Sequence, residues 1–141
     1  MWKDINSFFH LSRKEKSLLI QIYLFIRLVN CSLRLFGFKK TRSFLFRRLQ
    51  NRSLNARLYS SEQIIWSVNC VSSRMPVTCL PKALTAMFFL KKNSYNPKLM
   101  IGVRSNSDHI DAHAWLTLDD NVVLGHLNNL HEYTVLLTDC I

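Results

Sequence analysis

A cysteine in the stretch "MPVTCLPKALTAMFFLKK" (residues 75–92) stands where its side chain could carry out chemistry. Pro81 fits a helix only in its first turn, where backbone N–H groups have no intrahelical acceptor, so the helix must begin near Cys79. The positive end of the helix dipole and the free N–H groups favour a thiolate and can hold an oxyanion. The alternative is that Cys79 is a small buried hydrophobic residue with no chemical role.

A histidine in "DAHAWLTL" (residues 111–118) supplies a candidate base. The alternation of a strand places His113, Trp115 and Thr117 on one face, and the small residues Ala112 and Ala114 on the other face allow close packing. A cysteine at a helix start and a histidine on a later strand form the two-part arrangement for thiol-dependent acyl transfer. A lone strand histidine with an ordinary structural role remains the alternative.

Charge divides the chain into two parts. The 141 residues carry 19 Lys and Arg against 9 Asp and Glu, with a net charge of +11 in residues 1–60 and −1 in residues 61–141. We therefore expect a basic helical N-terminal region, 1–60, and a catalytic core, 61–141, within one compact domain. Because no nucleic-acid-binding signature accompanies the basic residues, we expect no nucleic acid partner.

The first predicted helix is long and apolar. Ser12 and Glu15 form a capping box, and the helix runs from Arg13 to Phe36 and ends at Gly37. Its polar residues interrupt the roughly 20 apolar residues that a membrane span needs. They form one stripe, which predicts a helix mostly buried against protein, with contact to a membrane surface as a less favoured alternative. The stripe consists of Lys16, Tyr23, Arg27, Asn30 and Arg34.

Later segments change from helical to strand patterns, which predicts an α+β fold. Thr41 is expected to cap a basic helix reaching about Asn51, and Ser60 to begin a third helix before the one at Cys79. Strands are expected at residues 98–104, 112–118 and 122–126, with Asp119-Asp120-Asn121 as the turn between the last two. The tail "EYTVLL" predicts a further short strand.

The remaining cysteine and histidine residues suggest neither disulfides nor a metal site. The four cysteines have no close spacing, and with no secretory signal at the start we expect reduced thiols in the cytoplasm. No Cys-x-x-Cys or closely spaced His pair appears, so neither a metal nor another cofactor is expected. The residues of ligand type are Cys79, His113, His126, His131 and Cys140.

Three segments in order resemble the leader peptidases of lasso-peptide biosynthesis, thiol enzymes of the transglutaminase-like superfamily. They are "CLPKALTAMFFLKK", "YNPKLMIGVR" and "DAHAWLTLDD", and the resemblance covers about residues 76–126. It implies a papain/transglutaminase-like catalytic helix packed on a small antiparallel sheet, behind N-terminal helices. It also implies that Cys79 is the nucleophile and His113 the general base and later the general acid.

The resemblance implies a third residue that orients the histidine. Several relatives place an aspartate twelve residues after the histidine, where this chain has Gly125. Asp119 and Asp120 are excluded because Asp119, six residues along a strand from His113, lies about 20 Å away. A three-residue turn would move the equivalent position to His126, with Asn128 next along, and Asp111 is a weaker candidate on the strand face of His113.

The resemblance also implies partners. They are the leader region of a lasso precursor, a separate leader-recognition protein and the ring-closing enzyme, since the chain resembles the stand-alone form of the peptidase. The function implied is leader removal through an acyl-enzyme. Two alternatives stay open: a non-catalytic peptide-binding scaffold with a degenerate site, and an acyl transferase that uses an amine in place of water.

Overall fold

The computed structural model describes residues 11–50 and 57–139 and confirms the α+β class. In these two ranges, three helices precede four strands, and a 3-10 turn, Leu130–Glu132, lies before the last strand. The predicted helix end at Asn51 and the thiol of Cys140 lie outside the described residues. The helices are α1 (Arg13–Gln50), α2 (Ser61–Ser72) and α3 (Cys79–Lys92), and the strands are β1 (Lys98–Ser105), β2 (Ile110–Leu118), β3 (Asn121–Leu124) and β4 (Thr134–Asp139).

The capping boxes predicted for the first two helices are both present. The Ser12 N–H donates to Glu15 Oε2 at 2.8 Å, and the Glu15 N–H donates to Ser12 Oγ at 3.3 Å. Hydrogen bonds to the ionised carboxylate from the Ser12 main-chain N–H and, to a lesser extent, from the Ser12 side chain lower the pKa of Glu15 below its usual value. At α2, Ser60 and Gln63 make the same reciprocal pair. Local sequence therefore sets the beginning of both helices.

The expected cap at Thr41 is wrong. Gly37 leaves the helical conformation, with φ 75° and ψ 176°, but the helical segments on its two sides follow directly. Thr41 is buried inside the second segment, and its Oγ1 lies 2.9 Å from Ser32 Oγ across the kink. The Thr41 hydroxyl makes its hydrogen bond to a side chain across the kink. It therefore does not cap the main-chain N–H groups of a helix start.

The core lies between the helices and one face of the sheet. Helix α1 packs against α2 and α3, and α3 also packs against β1 and β2. Each of these elements contributes buried apolar side chains to the same cluster, so one core holds them together. Its fully buried members include Leu18, Ile22, Ile26, Val29, Ile64, Val68, Leu84, Met87, Leu90, Leu99 and Leu116.

The prediction that the first helix is mostly buried is wrong. Residues 13–47 form a helix that is long and apolar enough to cross a membrane by length and composition, and only 28% of its apolar window is buried. One side contacts the core, whereas Ile20, Leu24, Leu28 and Leu35 on the other side are exposed. The polar stripe therefore lies along one border between two apolar faces.

Side-chain contacts join residues 57–60 to neighbouring elements. Asn93 Oδ1 accepts from the N–H groups of Leu58 and Tyr59 at 3.0 and 3.1 Å. The Tyr59 hydroxyl donates to the Lys14 carbonyl at 3.2 Å. The division of the chain into regions 1–60 and 61–141 stays a prediction.

The sheet is antiparallel, with strand order β3-β2-β1-β4. The expected three-residue turn is wrong, because Leu118 pairs with Asn121 and only Asp119 and Asp120, both at positive φ, form the turn. The extra residue lies in β3 instead. It stands opposite the step from Leu116 to Thr117 on β2, where the register of the pairing shifts. A β-bulge accommodates one additional residue without lengthening the turn.

Candidate catalytic site

Cys79 is the first residue of α3, as the position of Pro81 predicts. Thr78 occupies the N-cap, but its side chain makes no capping hydrogen bond, in contrast to the capping boxes of the other two helices. Cys79 is half-buried and packs against the core. The N–H groups around the thiol are therefore not occupied by the cap side chain and point toward the positive end of the helix.

A lysine lies in the same first turn. Lys82 is three residues after Cys79, a spacing that places two side chains on one side of a helix. Burial lowers the pKa of the Lys82 ammonium group, because a low-dielectric surrounding disfavours the charged form. While it is protonated, this cation adds to the positive potential at the start of α3.

The imidazole of His113 is held by a main-chain carbonyl. His113 Nε2 lies 2.8 Å from the Gly125 carbonyl oxygen. A carbonyl oxygen only accepts, so Nε2 carries the proton and, in the neutral ring, Nδ1 is the basic nitrogen. The geometry thus fixes the tautomer and leaves Nδ1 to accept a proton.

This partner differs from the orienting residues considered from the sequence. The structure describes His126 and Asn128 as exposed, and no bond from either to the His113 ring is found among the described side chains. Asp111 shares the strand face of His113, but its Oδ2 accepts from Arg104 Nη2 at 3.2 Å. The main-chain oxygen of Gly125 fills the place that the side chains were expected to take.

Gly125 stands at the position where the resemblance implies an aspartate, and its backbone leaves little room for a side chain. Its φ is +78°, and an added Cβ would lie 2.9 Å from the Ala114 oxygen and 3.0 Å from Trp115 Cβ. Neither neighbouring atom can rotate away, because the Ala114 oxygen belongs to the main chain and Trp115 Cβ is bonded directly to the main chain. Glycine adopts this conformation without strain, and its carbonyl makes the hydrogen bond to the imidazole.

Aromatic rings enclose the imidazole. The His113 ring stacks on Trp115, with centroids 6.0 Å apart and planes at 16°, and its centroid lies 5.9 Å from that of Tyr133. Trp115 and Tyr133 also meet edge to face at 6.5 Å. Gly102, the partner of His113 on β1, leaves space for the Trp115 ring. This packing limits the rotation of the histidine ring and completes its orientation.

A charged cluster supports Tyr133 from the outside. The Arg104 guanidinium lies 5.3 Å from the Tyr133 ring centroid, donates to Glu132 Oε2 at 2.7 Å and also contacts Asp111. These pairings lower the pKa of Glu132 and raise that of Arg104, mainly through their mutual hydrogen bond. Sequence reasoning missed Tyr133, Glu132 and the role of the Gly125 backbone, because their link to His113 is made only by folding. The signal available for Gly125 was its spacing of twelve residues from His113.

Cys79 and His113 belong to elements that pack together, α3 and β2. Among the described residues, no hydrogen bond joins the thiol to the imidazole. Pairing places Ala114 and Leu116 on the core face of β2 and His113 on the opposite face. Because β3 pairs with β2 only at Leu116–Leu118, β2 has no β3 neighbour at His113. The two residues therefore lie on elements that pack together, and no described contact joins the thiol to the imidazole.

The remaining thiols and ligand-type residues form no group of three in the part of the chain that the structure describes. Cys31, Cys70 and Cys79 are free thiols. In residues 11–50 and 57–139, no three His, Cys, Asp or Glu side chains lie close enough together to hold a metal ion. His131, one of the ligand-type residues, is exposed in the 3-10 turn before β4.

Comparison with known proteins identifies the family of the chain. Residues 25–138 match the family model of the transglutaminase-like superfamily, which includes cysteine peptidases and acyl transferases. No curated protein and no solved structure matches the chain. The match spans most of the chain and includes Cys79, His113 and Gly125. The chain therefore belongs to the transglutaminase-like superfamily.

Proposed function

We propose that this chain is a cysteine peptidase that removes the leader from a ribosomally made lasso-peptide precursor. The observation that carries the proposal is the bond from His113 Nε2 to the Gly125 carbonyl, because it makes Nδ1 the base. Cys79, at the uncapped start of α3, supplies the nucleophile. The family match supports thiol chemistry, and the resemblance of "CLPKALTAMFFLKK" and "DAHAWLTLDD" to lasso leader peptidases supports the substrate.

The first half-reaction forms an acyl-enzyme. His113 Nδ1 takes the proton from Cys79 Sγ, and the thiolate attacks the carbonyl carbon of the bond joining leader to core. The developing oxyanion is held by N–H groups at the start of α3, including that of Cys79. When the tetrahedral intermediate collapses, the C–N bond breaks and His113 gives its proton to the leaving amine. The core peptide leaves with a free N-terminus.

The second half-reaction releases the leader. His113 takes a proton from water, the hydroxide attacks the thioester carbon, and Cys79 leaves as a thiolate that regains its proton. The Gly125 carbonyl keeps the ring in one tautomer but carries no full negative charge. It therefore stabilises the imidazolium less than the aspartate of relatives would, and we expect proton transfer to depend on the aromatic packing around the ring.

The partners follow from this proposal. A separate recognition protein would present the leader, and the ring-closing enzyme would consume the freed core. The reaction needs a reduced thiol at Cys79, which agrees with a place in the cytoplasm.

Mass spectrometry of the cognate precursor, incubated with this chain with and without the recognition protein, tests the proposal. We expect two fragments whose masses sum to the precursor plus one water. Cys79→Ala should abolish the cut, whereas Cys31→Ala, which changes an exposed thiol on α1, should leave it intact. Cleavage that persists in Cys79→Ala would refute the mechanism. A product heavier by an amine would indicate a transferase, and an uncut precursor bound to the chain would indicate a scaffold.

A second series of variants tests the orienting contact. Because the Gly125 carbonyl holds the ring, His126→Ala and Asn128→Ala should change the cleavage rate by about twofold at most. His113→Gln should lower the rate by about a hundredfold or more, as expected for loss of a general base. A loss in His126→Ala as large as that in His113→Gln would restore the side chain as the orienting residue.

A further inference from the structure

Helix α1 carries a second apolar face that no described element covers. Ile20, Leu24, Leu28 and Leu35 are 57%, 62%, 49% and 69% exposed, and we call these four residues the apolar ridge. At about 100° per residue they fall within about 80° of the helix circumference. The core-facing residues of the same helix, Leu18, Ile22, Ile26 and Val29, lie on the opposite side. Exposed apolar surfaces of this kind mark contacts with a protein or a membrane.

Positive charge borders the ridge. Arg27 and Arg34 are exposed on one side of it, and Arg27 Nη1 donates to the Tyr23 hydroxyl at 2.9 Å. The residues of α1 include ten Lys and Arg and a single acidic residue, Glu15. An apolar face bordered by cations and an interfacial tyrosine is the pattern of helices that lie on anionic lipid.

We propose that the apolar ridge binds the surface of an anionic membrane, with α1 lying in the plane of the headgroups. Charge complementarity selects this occupant over a second copy of the chain, which would bring a net charge of +10 against +10. The four core-facing residues select surface contact over a transmembrane orientation. They are fully buried or nearly so against α2 and α3, and a spanning helix would have to leave that core.

Vesicle sedimentation with the full chain tests the proposal. The chain should pellet with vesicles of phosphatidylglycerol and phosphatidylcholine and far less with phosphatidylcholine alone, and salt should weaken the binding. The double variant Leu24→Gln, Leu28→Gln should lower the partition coefficient by about tenfold or more. Arg27→Gln with Arg34→Gln should lower it by about twenty-five-fold, since each arginine near an anionic surface contributes about fivefold.

Leu136→Gln on β4 is the matched control, because Leu136 is 65% exposed and lies outside α1. It should pellet as the unchanged chain does, and circular dichroism should show that all variants fold. Equal binding to neutral and anionic vesicles, or no loss in the ridge variant, would overturn the proposal. Binding to immobilised poly-glutamate without binding to anionic vesicles would also overturn it and would identify the ridge as a site for an acidic protein. A dimer that the ridge variant abolishes would overturn it as well.

Discussion

Replacement of Gly125 by alanine should destabilise the fold and displace the carbonyl that holds His113. The positive φ of +78° costs a non-glycine residue about 1–2 kcal/mol. The new Cβ would also lie 2.9 Å from the Ala114 oxygen and 3.1 Å from Trp115 Cα, both main-chain atoms of β2. Overpacking of this kind costs about 1–3 kcal/mol. The free energy of unfolding should therefore fall by about 2–5 kcal/mol, a large part of a typical domain's stability.

Gly37→Ala is the matched control, because Gly37 also has a positive φ, of +75°, with nothing within 4 Å of an added Cβ. Its cost should be the backbone strain alone, about 1–2 kcal/mol as at Gly125, so the steric overlap should make Gly125→Ala the more destabilising variant by about 1–3 kcal/mol. Urea unfolding followed by tryptophan fluorescence measures both variants. Imidazole ¹⁵N shifts, assigned with His113→Gln, report which ring nitrogen carries the proton. Equal destabilisation by the two variants would refute the steric reasoning, and a neutral His113 protonated on Nδ1 in the unchanged chain would refute the orienting bond.

Two further predictions concern stability. Asn93→Ala should lower the free energy of unfolding by about 1–3 kcal/mol in urea titrations, since it leaves two main-chain N–H groups before α2 without their acceptor. Exposed Asn96→Ala should change it by at most about 0.5 kcal/mol, and equal effects would contradict the role of these bonds. Because Arg104 lowers the pKa of Glu132 from 4.5, their pairing stabilises the fold above pH 4.5 and is lost as pH falls through the lowered pKa. The stability difference between the unchanged chain and Glu132→Gln should therefore vanish in strong acid, and a difference that grows on acidification would contradict the pairing.

The sequence was sufficient to predict the elements that carry the site. Capping boxes and Pro81 placed the starts of all three described helices, because a helix start depends on residues within one turn. Alternation placed His113 and Trp115 on the same strand face, because a strand's geometry has a period of two. The α+β class followed from the change of pattern after Asn93.

Errors arose where a distant contact overrides local preference. Thr41 has the chemistry of a helix cap, but its hydroxyl bonds Ser32 across the kink at Gly37 instead. The burial of α1 was overestimated because a single polar stripe does not reveal how much apolar surface the rest of the domain can cover. One additional residue after β2 was predicted correctly, but it was placed in the turn, whereas it lies in the β3 bulge. A longer turn and a bulge differ only in which residues of the two strands pair.

The residue types and spacing by themselves determined the nucleophile candidate, Cys79, and the base candidate, His113, because a helix start and a strand face are local properties. The partner of the imidazole was decided only by tertiary structure. A backbone carbonyl has no sequence signature, and the Gly125 oxygen comes to lie 2.8 Å from Nε2 only through folding. The same holds for the apolar ridge, whose exposure depends on which side of α1 the other elements cover.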